Sequence, residues 1–129
     1  MAALRLWGAG GYDEIVTDRY LYAFAAPNDR LVKVGMVLDK DRLQPRLQAV
    51  RRKARRKDLE MIAHTVVPDV NHEETEHIES VARLWLVRAH GFSFVGQVDW
   101  LEAPASCPQS DWQSLLDQAV GQGLSLGNR

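Results

Sequence analysis

The pattern of hydrophobic and polar positions predicts two adjacent strands in the first third of the chain. Residues 20–26 (YLYAFAA) form an apolar and aromatic run, and residues 31–38 (LVKVGMVL) form a second run that contains β-branched side chains. The Pro27-Asn28-Asp29 segment between them has the residue types of a tight turn. Strands joined by so short a turn pair antiparallel, so we expect a β-hairpin.

Helical spacing replaces the strand pattern after the hairpin. Leu43, Leu47, Val50 and Ala54 recur at intervals of three and four residues. Pro45 suits the first turn of a helix, where its missing N–H has no intrahelical partner to lose. We therefore predict a first helix here, with basic residues around the rest of its circumference.

A third strand and a second helix follow. Residues 59–67 (LEMIAHTVV) have a strand composition, and we expect Pro68 to end the strand. Asn71 is a good N-cap with Glu74 in the capping-box position, and Gly91 suits the end of the helix. The buried stripe is predicted to consist of Ile78, Val81, Ala82, Trp85, Leu86 and Ala89.

The chain after Gly91 is predicted to form an extended segment over residues 92–101. Pro104 and Pro108 then break the chain before a short helix, predicted over residues 111–120, and a polar tail. The order is β-β-α-β-α, then an extended piece and a small helix. This order predicts an α/β (α+β) fold with a small mixed or antiparallel sheet flanked by helices. We divide the chain into an N-terminal arm (1–19), a central domain (20–102) and a C-terminal extension (103–129).

Composition limits the class of protein. With 129 residues, 46% hydrophobic and 26% charged, the chain is typical of one globular domain. No apolar run approaches the length of a bilayer span, and the first residues do not have the pattern of a secretory signal, so we expect a cytoplasmic protein without membrane contact. Cys107 is the only cysteine, which excludes an intrachain disulfide and a cysteine-built zinc site.

Charge is segregated although the net charge is only −1. Half of the 16 Lys and Arg residues lie between Arg42 and Lys57, and an acidic stretch runs from Asp69 to Glu79. A local cationic field can attract a polyanion even on a neutral chain, which makes DNA a candidate partner. The alternative is that the two segments pair or face solvent. We define the basic cluster as Arg51, Arg52, Arg55, Arg56 and Lys57.

Four short segments occur in a fixed order. Tyr20-Leu21-Tyr22 and Lys33-Val34-Gly35 lie on the two hairpin strands, Arg42 and Arg46 lie near the start of the first helix, and His77-Ile78-Glu79 lies early in the second helix. In this order the chain resembles the GIY-YIG nucleases. In that family the hairpin carries Gly-Ile-Tyr and Tyr-Ile-Gly, and a helical arginine and a metal-binding glutamate follow.

The resemblance extends over about residues 20–102, with two departures. The first motif lacks its glycine, and Lys33 stands where the second motif has its tyrosine, as in a short phage and bacterial branch of the family. Val98-Asp99-Trp100 is similar to the Glu-Trp-Phe-type ending of the same branch.

The resemblance implies metal-dependent hydrolysis of DNA phosphodiester bonds with Mg²⁺ or Mn²⁺. Such chemistry needs an activated water, a Lewis acid and cations for the developing charge. Tyr22 would activate or orient water, with its pKa lowered by Lys33 and an arginine. Arg46, or Arg42 in its place, would stabilise the pentavalent phosphate, Glu79 would hold the metal, and the basic cluster would bind the DNA backbone.

Helical geometry separates Glu79 from its acidic neighbours. At about 100° per residue, Glu79 falls at the edge of the predicted buried stripe, where a side chain borders the core and still reaches a cleft. Glu76 falls further toward solvent, and Glu74 is used by the cap. Arg46 lies at the corresponding edge of the first helix, whereas Arg42 precedes Pro45 in the chain.

Residue types alone leave alternatives open. Tyr22 is also typical of a core aromatic with a hydrogen-bonded hydroxyl, Lys33 of an exposed strand lysine, and Glu79 of a boundary glutamate in a surface ion pair. Two rival functions remain: a nucleic-acid-binding module that has lost catalysis, and a protein-interaction domain. Since no separate target-reading domain is visible, specificity would come from a homodimer, a partner protein or DNA shape.

Overall fold

Over residues 16–127 the chain folds as a mixed α+β structure with a five-stranded antiparallel sheet and three helices. The structure, a computed structural model, describes residues 16–127. Single 3₁₀ turns, Lys40–Arg42 and Gln109–Asp111, precede the first and last helices. The elements are β1 (Val16–Ala25), β2 (Leu31–Val37), α1 (Leu43–Ala54), β3 (Glu60–Asn71), α2 (His72–His90), β4 (Ser93–Val95), β5 (Gln97–Glu102) and α3 (Trp112–Gly127). This confirms the predicted fold class and element order.

The predicted hairpin is confirmed. β1 and β2 pair antiparallel with Tyr22 opposite Gly35 and Phe24 opposite Lys33. Asn28 has φ 64° in the connecting turn, a conformation that asparagine tolerates better than most residues. β1 begins at Val16, four residues before the start predicted from its aromatic run.

The sheet order is β3-β1-β2-β5-β4, and its two faces are covered differently. Because side chains alternate along a strand, Leu21 and Ala23 point to one face, and Tyr22 and Phe24 to the other. The first face packs against α2 and α3 and forms the larger core. The second face packs against α1 through Leu43, Leu47 and Val50.

The expected end of the third strand at Pro68 is wrong, because β3 continues to Asn71. Among the described strands β3 lies at the edge of the sheet and has β1 as its single neighbour, so a residue without an N–H can be accommodated there. The register with β1 shifts at this point, and Asp69 has φ 56°. A bulge therefore carries the strand past the proline.

The predicted ends of α2 are confirmed. The Asn71 side chain accepts a hydrogen bond from the Glu74 N–H, the Glu74 carboxylate accepts one from the Asn71 N–H, and Gly91 ends the helix at φ 74°. The predicted buried stripe is only partly right, because Ala89 is exposed whereas Arg83 is buried.

The predicted extended segment consists of two strands, β4 and β5, and the last helix is longer than the predicted 111–120. Trp112, Leu116 and Ala119 of α3 belong to the same core as α2, so this helix completes the domain. Residues 16–19 of the predicted arm belong to β1, and its first 15 residues lie outside the described chain. Within residues 16–127 no helix has the length and apolar character needed to cross a bilayer.

Candidate active site

The site is organised around the half of β2 that β5 does not cover. β5 pairs with β2 only as far as Lys33. Further along, the Met36 N–H donates to Glu79 Oε2 at 2.8 Å, and the Val34 carbonyl accepts from Arg83 Nη1 at 3.0 Å. Side chains of α2 thus satisfy the strand edge, and they place the Glu79 carboxylate there.

Gly35, which lies between these two strand residues, makes room for Tyr22. Gly35 and Tyr22 are opposite each other in the hairpin. A Cβ added to Gly35 would lie 2.7 Å from Tyr22 Cζ and closer still to the hydroxyl. The Tyr22 ring also stacks on Phe24 with 4.0 Å between ring centroids. The tyrosine therefore lies across the glycine, and its hydroxyl is directed along the sheet surface under α1.

Arg46 of α1 reaches this hydroxyl, and Arg42 does not. Arg46 is exposed, and its Nη1 donates to the Tyr22 hydroxyl oxygen at 3.4 Å, a long hydrogen bond. Arg42 lies in the preceding 3₁₀ turn with its Nε 3.6 Å from a carboxylate oxygen of Asp39. Both arginines line the same cleft, and of the two Arg46 contacts Tyr22.

The pKa of Tyr22 lies above its ordinary value. Burial of the phenol is the main cause, the Arg46 guanidinium offsets part of it, and the negative charges of Glu79 and Asp99 add to it. Arg46 thus acts on this pKa in the expected direction, but burial outweighs it, so the expected net lowering is wrong. Because Arg46 uses only a lone pair of the hydroxyl, the proton remains available to donate. Tyr22 is suited to hydrogen-bond donation and poorly suited to act as a base.

Lys33 is paired with Asp99 of β5. The Lys33 ammonium forms a close ion pair with the Asp99 carboxylate and lies 5.6 Å from the centroid of the Trp100 ring. Burial alone would raise the pKa of Asp99, but the Lys33 ammonium, together with a backbone hydrogen bond and the charge of Arg83, outweighs burial, so the pKa lies below its ordinary value. Lys33 is thus half-buried and paired, in contrast to the exposed strand lysine of the alternative interpretation.

Two residues of the site were not predicted from the sequence. In the sequence Asp99 has no predicted role beyond its place in the Val98-Asp99-Trp100 motif. Nothing in the sequence predicts that β5 pairs with β2 at Lys33. Arg83 is 8% exposed, and its Nη1 lies 3.7 Å from Glu79 Oε1. Its position four residues after Glu79 could have indicated the contact between them, because residues four apart are neighbours on a helix surface.

Two of the clefts beside α1 are lined by residues of the candidate site. The larger has a volume of about 600 Å³ and lies between the start of α1, the end of β2 and the first turns of α2. Its lining residues are Arg19, Met36, Val37, Leu38, Arg42, Arg46, Glu73, Thr75 and Glu76. The smaller, of about 240 Å³, lies beside the Lys33–Asp99 pair and also involves Lys53.

The carboxylates fit a hard cation better than a zinc-type cage. Within the described part of the chain no group of three or more His, Cys, Asp or Glu side chains is placed to hold a metal. Glu79 retains 23% side-chain exposure. Mg²⁺ is commonly held by one or two carboxylates together with water and substrate phosphates, and Glu79 is compatible with that mode of binding.

The basic cluster is divided between internal and exposed members. Arg51 Nε donates to the Leu59 carbonyl at 2.7 Å, and Arg56 pairs with Asp29 and Asp58, each at 3.2 Å. These two arginines fasten α1 to the following loop and to the hairpin turn. The exposed members, which remain available to a partner, are Arg52, Arg55 and Lys57.

Comparison of the chain with protein-family models, with curated proteins and with solved structures gave no match.

Proposed function

We propose that the protein is a metal-dependent endonuclease that hydrolyses DNA phosphodiester bonds. One observation carries the proposal: the Tyr22 hydroxyl lies against Gly35 and accepts from Arg46, and Glu79 binds the N–H of the adjacent Met36. These groups come from four separate segments of the chain. Their convergence is what the resemblance to the GIY-YIG nucleases leads one to expect.

Arg46 is the group best placed to receive a phosphate. It is exposed, and the planar fork of a guanidinium matches two non-bridging phosphate oxygens. The same side chain covers the Tyr22 hydroxyl, and Tyr22 is only 1% exposed. When Arg46 turns toward a phosphate, the hydroxyl is uncovered and can donate a hydrogen bond, without transferring its proton, to the attacking water or to a phosphate oxygen. Tyr22 would then orient the nucleophile, and the raised pKa keeps the proton in place.

Glu79 would hold Mg²⁺ or Mn²⁺, which would act as the Lewis acid for charge developing on the phosphate. Arg83 lies beside this carboxylate on α2. Its hydrogen bond to the Val34 carbonyl holds α2 against β2, and this helps to position the Glu79 carboxylate. Lys33 neutralises Asp99, so the site does not present two uncompensated carboxylates to a polyanion. The exposed members of the basic cluster would contact the DNA backbone, which by itself carries no sequence information.

Glu79→Gln tests the proposal. A glutamine oxygen still accepts from the Met36 N–H, so the fold is kept, but the anionic metal ligand is removed. We expect the wild type to cleave plasmid or branched DNA with Mg²⁺ or Mn²⁺, and Glu79→Gln to be inactive at every metal concentration. Glu60→Gln, an exposed change at the start of β3, is the matched control and should cleave normally. Equal cleavage by Glu79→Gln and the wild type would remove Glu79 from the site.

A catalytically inactive nucleic-acid-binding module is the second candidate. It is favoured by the internal partners of Glu79, because Oε2 accepts from Met36 and Oε1 lies near Arg83, as in a purely structural carboxylate. DNA binding with a steep salt dependence and no cleavage by the wild type with either metal would select this candidate. Absence of DNA affinity would exclude both candidates.

A further inference from the structure

Arg19 of β1 is a buried charge that the proposed chemistry does not use. The residue is 5% exposed, and its Nε is buried without a hydrogen-bond partner in the part of the chain that the structure describes. Burial lowers the pKa of Arg19, but a guanidinium remains protonated at neutral pH. A buried and incompletely paired cation is costly, which is a reason to ask what ligand it serves.

The surroundings of Arg19 favour an anionic ligand. Arg19 lines the larger cleft together with Arg42 and Arg46. Arg46 contacts the Tyr22 hydroxyl, so this cleft opens next to the proposed site of chemistry. At about 600 Å³ it can accept a sugar-phosphate unit.

The opposite wall of the cleft restricts where the anion can lie. Glu73 and Glu76, both exposed, line that wall at the start of α2. An anion is repelled from them and attracted to the arginine side. The preferred position is therefore on the arginine side of the cleft, next to Arg19 and Arg42.

We propose that Arg19 and Arg42 bind a non-scissile phosphate of the DNA strand in this cleft, one position along the backbone from the phosphate held by Arg46. The inference rests on the proposed function, since it names how that site holds its substrate. The phosphate would complete the hydrogen bonding of the buried guanidinium. Charge-assisted bonds of this kind are among the stronger ones available to a binding site.

DNA affinity without metal tests this subsite. Fluorescence anisotropy of a labelled DNA duplex in EDTA measures binding without cleavage. Arg19→Met should bind about tenfold more weakly and lower the slope of log K against log salt by about 0.9, as expected when one phosphate is no longer neutralised. The melting temperature of Arg19→Met should be unchanged or higher, because the variant removes a buried charge. If Arg19 were only a structural residue, Arg19→Met would have a lower melting temperature and would bind DNA like the wild type.

Three further variants are measured in the same assay. Arg30→Gln removes an exposed arginine whose ion pair with Glu102 spans 3.7 Å where β2 begins and β5 ends, and it should bind DNA like the wild type. Glu73→Gln and Glu76→Gln should bind DNA more tightly than the wild type, because each removes a repulsive charge from the opposite wall. Wild-type affinity in Arg19→Met would overturn the subsite and leave the proposed nuclease function standing.

A change in the DNA keeps the test decisive if Arg19→Met fails to fold. Neutral methylphosphonates replace single phosphates of the duplex one at a time, and binding to the wild type and to Arg19→Lys is measured. We expect one non-scissile position at which neutralisation weakens binding to the wild type more than to Arg19→Lys. If no position behaves in this way, the subsite is wrong. If the wild type has no DNA affinity at all, the proposed function fails together with it.

Discussion

Gly35→Ala is the sharpest test of how the hairpin positions Tyr22. The added Cβ would lie 2.7 Å from Tyr22 Cζ, inside van der Waals contact. The ring cannot move aside easily, because it is 1% exposed and stacks on Phe24 at 4.0 Å. Overpacking of this kind costs about 1–3 kcal/mol. Replacing glycine within a strand returns about 0.5–1 kcal/mol, so the middle of the two ranges gives an expected net loss of about 1 kcal/mol.

The assay is thermal and urea denaturation of a double-mutant cycle. Gly35→Ala should lower the melting temperature by about 4–8 °C in a domain of this size. Combined with Tyr22→Leu, which removes the obstructing ring, Gly35→Ala should cost much less, with a coupling energy of about 1 kcal/mol or more. Gly121→Ala is the matched control, since a Cβ on Gly121 of α3 meets nothing within 4 Å, and this variant should not destabilise the protein.

DNA cleavage gives a second measure of the clash between the added Cβ and the Tyr22 ring. Displacing the ring moves the Tyr22 hydroxyl away from Arg46, so cleavage by folded Gly35→Ala should fall below that of the wild type. Wild-type stability in Gly35→Ala, or a coupling energy near zero, would refute the inference that Gly35 is there to accommodate Tyr22.

Three further predictions concern turnover and binding. Tyr22→Phe should reduce kcat far more than stability, and its deficit should be constant from about pH 7 to about pH 9, because the raised pKa keeps the wild-type hydroxyl protonated there; a deficit that grows with pH would instead indicate a base. Arg46→Lys should lower kcat by about two orders of magnitude, or about 2.7 kcal/mol, whereas Arg42→Lys should act mainly on affinity; the reverse ranking in steady-state kinetics would exchange their roles. Changing the three exposed members of the basic cluster to Gln should reduce the salt slope of duplex binding by about 0.9 for each phosphate that the variant no longer neutralises, and an unchanged slope would remove the cluster from the interface.

Local signals account for the parts of the fold that the sequence predicted. The Asn71–Glu74 capping box and Gly91 define α2 through bonds within a few residues, so a single sequence is sufficient to place its ends. The hairpin is equally local, because its turn is short and its strands are adjacent. The opposition of Tyr22 and Gly35 follows from that turn.

Long-range packing accounts for the parts that could not be predicted. β3 passes Pro68 because the strand lies at a sheet edge, and strand order is not encoded in a local pattern. Arg83 is buried because its guanidinium is the hydrogen-bond partner of the Val34 carbonyl at the uncovered edge of β2. The pairing of Lys33 with Asp99 likewise depends on where β5 adds to the sheet, 66 residues further along the chain.

The unequal cover of the two sheet faces has a consequence for how the protein opens. One face is covered by two helices and the larger core, and the face with Tyr22 is covered, among the described elements, by α1 alone. Regions with less buried apolar contact open at lower free energy than the whole domain. Amide hydrogens of α1 should therefore exchange with solvent before those of α2 and α3. Since Arg46 is carried by α1, such sub-global opening would expose the phenol without unfolding the scaffold that holds Glu79.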